Sequence, residues 1–177
     1  MTARPQLDFM IVSLPRSGST WAANWLTTET TYCAHDPLYT AHFRDFDVGI
    51  CEAAAGRRAG IACTGIGWLW PDWVNAHTAR VLVLRRPLAE VQSSLQGIGW
   101  PQLPDYAETR LAQLSGRHVP YTDLFDPAKA EAIWAYLTGL PLDERRHRQL
   151  VQMRVEPQLD RLVTDPAVEA RLVGEVG

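Results

Sequence analysis

The residues of this chain that are best suited to chemistry lie at positions 15–21, in the segment PRSGSTW, between an apolar run and a helical pattern. Where a strand turns into a helix, several backbone N–H groups and the positive end of the helix dipole point to one spot. Arg16 adds a guanidinium, and Ser17, Ser19 and Thr20 add hydroxyl donors. The segment therefore predicts a phosphate-binding loop, although serine and threonine are also common in a plain helix N-cap.

The loop differs from the phosphate loop of ATP-binding proteins. That loop needs the pattern G-x-x-x-x-G-K-[ST], in which a lysine reaches the terminal phosphates and a hydroxyl holds Mg²⁺. Here the leading glycine and the lysine are both absent, and Lys129 is the one lysine among seventeen basic residues. A small-molecule kinase that uses ATP is therefore the weaker interpretation.

Residues 15–21 resemble the 5′-phosphosulfate loop of the sulfotransferase family, whose members use 3′-phosphoadenosine 5′-phosphosulfate (PAPS). The resemblance implies that the backbone and hydroxyls of residues 17–20, Gly18 included, hold the 5′-phosphate. It also implies that Trp21 lies against the adenine, although a buried core tryptophan is the other interpretation. Arg16 then has the position of the cation that neutralises the bridging oxygen as the sulfuryl group leaves, where charge develops in the transition state.

A second match follows the apolar run at residues 80–84. Arg85 ends that run, Pro87 comes two residues later, and Ser93 lies eight residues after Arg85. The spacing resembles the family's 3′-phosphate site, in which an arginine and a serine hold the phosphate that distinguishes PAPS from ATP. A strand end and the second turn of the following helix converge at the sheet edge where open α/β folds bind ligands. The alternatives are a solvated Arg85-Arg86 pair and a serine bonded to its own helix.

A candidate base lies in the segment HDPLY at residues 35–39. Carbohydrate-type and several bacterial sulfotransferases carry an acidic turn here, and Asp36 matches the carboxylate that is thought to take the acceptor's proton. An alcohol acceptor needs such a base because it is a weak nucleophile until its proton is removed. His35 is the rival base, since imidazole titrates near neutrality. An Asp-Pro turn without a catalytic role is a third interpretation.

The sequence also departs from the family. Many cytosolic members have a Lys-Thr-His strand whose histidine is the base, whereas residues 63–65 here are Cys-Thr-Gly. The Gly- and Lys-rich segment that closes over the nucleotide in those enzymes has no counterpart, and Arg154 is a candidate substitute. The resemblance nevertheless covers residues 9–157, including segments 120–127 and 137–142. A non-catalytic module that keeps the fold and binds a nucleotide is therefore a second hypothesis.

The chemistry-bearing segments need a scaffold that brings strand ends together. Near-continuous apolar runs at residues 9–14, 61–66 and 80–84 predict strands covered on both faces. Helical patterns between them imply parallel strands and right-handed crossovers, hence an α/β fold. The resemblance implies a P-loop NTPase-like three-layer fold with a central, mainly parallel sheet. Further predictions are helices at 44–57, 71–77, 127–140 and 142–151 and after Pro87, a last strand at 118–124, and a loop at 97–104.

Composition sets the remaining expectations. The 177 residues carry a formal charge of −3, which leaves no basic surplus for nucleic acid and favours a small-molecule or carbohydrate acceptor. The length fits one domain, 1–177. Three cysteines without C-x-x-C spacing indicate reduced thiols in a cytoplasmic protein and no metal, and the first apolar run is too short for a membrane span. We expect a cytoplasmic, PAPS-dependent sulfotransferase that transfers a sulfuryl group to a hydroxyl or amine and leaves adenosine 3′,5′-bisphosphate (PAP).

Overall fold

The centre of the molecule is a five-stranded parallel sheet. A computed structural model describes residues 6–39 and 46–153, and its strands stand in the order β2-β3-β1-β4-β5. Every neighbouring pair is parallel. The strands are β1 (Phe9–Ser13), β2 (Thr31–His35), β3 (Arg58–Cys63), β4 (Arg80–Arg85) and β5 (Arg117–Pro120).

Helices connect the strands and cover both faces of the sheet. Two 3-10 turns, Pro37–Tyr39 and Tyr121–Phe125, follow β2 and β5. Across residues 6–39 and 46–153, no helix combines the length and apolar character that a membrane crossing requires. The helices are α1 (Ser19–Trp25), α2 (Phe46–Ala54), α3 (Ile66–Leu69), α4 (Pro71–Ala76), α5 (Leu88–Gly97), α6 (Tyr106–Ala112), α7 (Pro127–Thr138) and α8 (Glu144–Gln152).

Two apolar cores lie on opposite faces of the sheet, which makes the fold a three-layer α/β structure. Alternate residues of a strand point to opposite faces. In β1, Phe9 and Ile11 therefore pack with α1, α7 and α8, whereas Met10 and Val12 pack with α2 to α6. Burial on both faces explains why the central strands are almost continuously apolar.

The connections define where a crevice opens. From β1 the chain crosses through α1 to β2 on one side of the sheet, and from β4 it crosses to β5 on the other side. The helices α1 and α5 that follow these two neighbouring strands lie on opposite faces. In open α/β sheets, ligands bind at the carboxyl ends of two strands whose connections diverge in this way. The favoured position is therefore the end of β1 and β4.

The structure confirms the α/β class and the strands β1 and β4. It also confirms the helices at 71–77, 127–140 and 142–151 within a few residues. The strand predicted at 61–66 is wrong by three residues, because β3 ends at Cys63 and the apolar residue Ile66 begins α3. A short apolar run does not distinguish a strand from a buried helical turn. The last strand likewise ends at Pro120, and a 3-10 turn follows it.

The edge strand β2 and helix α6 have no counterpart in the sequence predictions. The edge strand β2 alternates buried and partly exposed residues, with polar side chains at both ends, so it lacks a continuous apolar run. Helix α6 is a short helix that buries only Ala107 and Leu111 in the core. Residues 98–104 form no helix or strand, in agreement with the predicted loop.

Candidate functional site

The predicted phosphate loop lies between β1 and α1, at the carboxyl edge of the sheet. Two of its residues have left-handed backbones: Arg16 with φ 63° and Gly18 with φ 83°. Glycine adopts this conformation without strain, but an arginine does so at a cost of about 1–2 kcal/mol. Left-handed residues turn successive N–H groups toward one concavity, which is the geometry of backbone anion sites. The strained arginine is a reason to look for function here, because such outliers cluster at ligand-binding sites.

The loop is tied to the segment that follows β4. The Nε atom of Arg16 donates to Ser94 Oγ of α5 at 3.0 Å. The guanidinium of Arg86 donates to the carbonyl oxygen of Arg16, lies 4.9 Å from the ring centre of Tyr121, and pairs with Glu90 at 3.3 Å. The ends of β1 and β4 therefore meet at the predicted crevice.

The pair predicted to hold a 3′-phosphate is arranged differently. Arg85 Nη2 lies 3.6 Å from Glu108 Oε1 of α6, and Ser93 is on the exposed side of α5. The neighbouring Ser94 instead faces the loop. Successive helical residues differ by 100° in direction, so the burial of Leu95 in the core turns Ser94 inward and leaves Ser93 outward.

Trp21 is almost fully buried, with 5% of its surface exposed. Its ring centre lies 5.4 Å from that of Trp25, 5.1 Å from Phe125 and 5.7 Å from His147. Its indole N–H donates to the carbonyl oxygen of Leu150 in α8 at 3.1 Å. In this conformation Trp21 is therefore a core tryptophan, and little of its ring surface is accessible to an adenine.

The two candidate bases lie directly beside the loop. His35 Nε2 is 3.2 Å from Ser19 Oγ, 3.2 Å from Thr20 Oγ1 and 3.3 Å from Asp36 Oδ2. The Asp36 carboxylate also accepts from the backbone N–H of Thr64 at 2.6 Å and from its hydroxyl at 3.0 Å. The edge strand β2 and the end of β3 thus bring both predicted bases to the phosphate loop.

Cys63 lies next to this group but is not a thiolate. Burial, the largest cause, raises the pKa of its thiol to about 11, and the Asp36 carboxylate adds a smaller rise. The thiol is therefore neutral at physiological pH, and only a thiolate is a good nucleophile. Among the described residues, no three His, Cys, Asp or Glu side chains are grouped closely enough to hold a metal ion.

Together these contacts bring three arginines and three carboxylates, those of Asp36, Glu90 and Glu108, to the carboxyl edge of the sheet. Three guanidiniums, those of Arg16, Arg85 and Arg86, lie at the ends of β1 and β4, although Glu90 and Glu108 each pair with one of them. Guanidiniums and inward-turned N–H groups are suited to phosphate or sulfate oxygens. The donor set fits the charged part of PAPS, whereas the buried Trp21 does not fit the adenine in this conformation.

Comparison of the chain with family models, with curated proteins and with solved structures gave no match. The resemblance to sulfotransferases therefore rests on the residues of this chain, and Arg154, the candidate closing residue, lies outside the described residues.

Sequence reasoning missed three residues of the site. Ser94 could have been found, because it shares the helical face of Val91 and Leu95. Thr64 carries no signal by itself, since its role depends on β3 lying beside β2. Glu108 could not be found, because its contact with Arg85 depends on how α6 packs.

Proposed function

We propose that this protein is a sulfotransferase that binds PAPS at the carboxyl ends of β1 and β4 and transfers its sulfuryl group to a hydroxyl or amine. The proposal rests on the resemblance carried by residues 15–21 and by Arg85. One observation supports it above all: the loop and the end of β4 are joined through Arg16, Arg86 and Ser94. The two matching segments are therefore parts of one crevice.

Different residues of the chain have different roles in such a reaction. The N–H groups and hydroxyls of residues 17–20 hold the 5′-phosphate, and Arg85 binds the 3′-phosphate once it separates from Glu108. PAPS supplies an activated sulfuryl group when bound. Arg16 is the cation of the loop itself. A preorganised cation lowers the barrier most where charge develops in the transition state. Asp36 accepts the acceptor's proton.

Asp36 is suited to that task because its carboxylate lies beside the loop and is partly open to solvent. The N–H and hydroxyl of Thr64 donate to it at 2.6 and 3.0 Å, and the Cys63 thiol also hydrogen-bonds it. The His35 ring nitrogen lies 3.3 Å from Oδ2. The side chain is 12% exposed, so an acceptor hydroxyl can approach it from solvent.

The decisive experiment compares PAP with ATP plus Mg²⁺ as stabilisers of the full-length chain. At about 100 times its dissociation constant, a ligand that binds only the native state adds about 2.7 kcal/mol. For a chain of this size that corresponds to a rise in Tm of about 5–10 °C. We expect this rise with PAP and a much smaller one with ATP. Equal or stronger stabilisation by ATP refutes the sulfotransferase proposal and favours a kinase.

A pair of arginine variants locates the site. In Arg85→Ala the preference for PAP over AMP should be lost while the Tm without ligand stays the same. The matched control is Arg58→Ala, because Arg58 is exposed and begins β3 at the opposite edge of the sheet. If Arg85→Ala lowers the Tm without ligand and leaves the preference intact, Arg85 is structural.

The second candidate is a non-catalytic module that binds PAP or a related nucleotide. The lack of a histidine in residues 63–65 favours it, because that segment carries the base in many members of the family. The burial of Trp21 and the pairing of Arg85 with Glu108 bear equally on both candidates, since both bind a nucleotide. Tight PAP binding without transfer to any of a wide panel of sugars, phenols and amines would support the module. For either function we propose a cytoplasmic location and a small-molecule or carbohydrate partner, on the basis of the cysteine pattern and net charge.

A further inference from the structure

Three oxygen atoms converge on a single nitrogen of His35. They are Ser19 Oγ at 3.2 Å, Thr20 Oγ1 at 3.2 Å and Asp36 Oδ2 at 3.3 Å, and all three distances are to Nε2. A neutral imidazole nitrogen carries either one hydrogen or one lone pair, so it either donates or accepts. The three contacts therefore limit which tautomer of His35 is possible.

The carboxylate decides the tautomer. An ionised carboxylate only accepts hydrogen bonds. If Nε2 of His35 carried a lone pair, it would face Asp36 Oδ2 as a second acceptor, which is repulsive. This repulsion favours the tautomer with the hydrogen on Nε2, in which the oxygens of Ser19 and Thr20 face an N–H group.

This tautomer determines where the loop hydroxyls point. With their oxygens toward an N–H, Ser19 and Thr20 direct their own hydrogens elsewhere. Within residues 6–39 and 46–153, neither hydroxyl donates to a carbonyl or carboxylate oxygen. Ser19 is 4% exposed, and buried hydroxyls as a rule have hydrogen-bond partners. Thr20 is partly exposed and can donate to water, whereas the buried Ser19 hydroxyl lacks an acceptor that an anion in the loop would supply.

The Asp36 carboxylate is itself fixed by Thr64. Its Oδ1 accepts from the backbone N–H of Thr64 at 2.6 Å, and the Thr64 hydroxyl lies 3.0 Å from Oδ1 and 3.2 Å from Oδ2. Asp36 has φ 41°, a left-handed backbone that turns the chain at the end of β2. Thr64 therefore sets the direction of the carboxylate that selects the His35 tautomer.

We propose that Thr64 and His35 are positioning residues. Thr64 orients Asp36, Asp36 holds His35 with its hydrogen on Nε2, and His35 turns the hydroxyls of Ser19 and Thr20 into donors for an anion. The last step rests on the proposed function, whereas the first two do not. On this assignment Asp36 remains the base, and His35 does not take the acceptor's proton.

The arrangement differs from that of a nucleophilic serine. In a Ser-His-Asp triad, the carboxylate binds Nδ1 and the hydroxyl binds Nε2, so that Nε2 can take the hydroxyl proton. Here the carboxylate and both hydroxyls share Nε2. Ser19 and Thr20 are therefore ligand donors and not nucleophiles.

Nitrogen NMR of the histidine side chains tests the tautomer directly. In the full-length chain labelled with ¹⁵N-histidine at mildly alkaline pH, the signals of His35 are assigned from their absence in His35→Gln. We expect the pattern of a neutral ring with hydrogen on Nε2. A ring with hydrogen on Nδ1 overturns the proposal, whatever the protein binds.

Variants of Thr64 test the positioning. Thr64→Val removes the hydroxyl and keeps the backbone N–H. It should shift the His35 ¹⁵N signals and lower the transfer rate roughly 2- to 10-fold, which is the effect of losing one hydrogen bond. Thr64→Ser keeps a hydroxyl, so its His35 signals and its transfer rate should match those of the parent chain. The control Thr78→Val makes the same change at an exposed hydroxyl that donates to Gln6, and it should change neither. A His35 signal that does not respond to Thr64→Val refutes the role of Thr64.

Binding separates this proposal from the proposed function. His35→Gln should weaken PAP binding roughly 2- to 10-fold, because the loop hydroxyls lose the donor that orients them. The control His118→Gln, whose ring contacts only the Leu114 carbonyl among the described residues, should bind PAP normally. Unchanged PAP affinity in His35→Gln refutes the role of His35 in orienting the loop hydroxyls. If the parent chain does not bind PAP at all, the proposed function and this role of His35 both fail. The NMR result still decides whether Thr64 orients Asp36 and whether Asp36 holds the hydrogen on Nε2.

Discussion

Arg16 combines a strained backbone with a charged side chain, so replacing it by alanine and by glycine separates the two properties. Both variants remove the guanidinium and its hydrogen bond to Ser94. Alanine keeps the penalty of the left-handed backbone at φ 63°, whereas glycine removes it. The difference in stability between the two variants therefore measures the strain less the greater freedom of glycine in the unfolded chain, and the loss of activity that they share measures the guanidinium.

The structure sets the magnitudes. The partly buried hydrogen bond to Ser94 contributes about 1 kcal/mol, which both variants lose. Relief of a left-handed strain of about 1–2 kcal/mol, less about 0.4–1 kcal/mol for the greater freedom of glycine in the unfolded chain, returns roughly 0.5–1 kcal/mol to Arg16→Gly. In a chain of this size Arg16→Gly should therefore melt about 1–4 °C above Arg16→Ala.

The functional loss should be the same in both variants. If Arg16 stabilises the charge that develops on the leaving oxygen, turnover falls about 10²- to 10³-fold. The affinity for PAP, to which a partly exposed cation contributes little, falls about 5-fold at most. Arg16→Lys, which keeps a cation, should retain substantial activity.

Thermal unfolding, PAP calorimetry and a transfer assay on the same preparations test these expectations. If turnover and PAP affinity fall by the same factor, Arg16 only holds the phosphate, and the transition-state reasoning is wrong. If Arg16→Gly is no more stable than Arg16→Ala, the strain attributed to the loop is wrong.

Three further predictions concern the base, the core and the thiols. Asp36→Asn should lower the transfer rate about 10²- to 10⁴-fold and should weaken PAP binding by no more than roughly 10-fold, through its effect on His35; a retained rate would exclude Asp36 as the base. Gly60→Ala places a Cβ 2.1 Å from the Phe9 ring and should destabilise the fold by about 1–3 kcal/mol in urea titrations, where an unchanged midpoint would contradict this packing. Cys51, which is only partly buried, should react with a thiol reagent before Cys63, whose pKa is raised to about 11 by burial, and fast labelling of Cys63 in the native chain would contradict its burial.

Much of the scaffold could be predicted because its signals are local. The strands β1 and β4 are continuous apolar runs, and burial on both faces of a parallel sheet requires that pattern. The helix α7 begins with Asp126, whose side chain accepts from the N–H groups of two following residues, and ends at Gly139 with φ 68°. Caps of this kind depend only on neighbouring residues, so they are readable from the chain.

Strand ends were harder to predict, because an apolar run can continue from a strand into a buried helical turn. The run at residues 61–66 continues from β3 into α3, and only the turn at Thr64, which binds Asp36, separates them. The edge strand β2 has only three apolar residues in a row, between the polar Thr31 and His35, and its faces are partly exposed. Its position follows from pairing with β3 and not from its own composition.

For the candidate site, the residue types and their order along the chain were enough to show which segments carry suitable chemistry and that these segments follow strands. Parallel strands place all such segments at one edge of the sheet, so PRSGSTW, Asp36 and Arg85 had to lie on the same side. Which side chains meet there depends on tertiary packing: Ser94 and not Ser93 contacts Arg16, because the packing of α5 sets its rotation. Partners of this kind lie tens of residues apart along the chain, and only the packing of helices against the sheet brings their side chains within hydrogen-bonding distance.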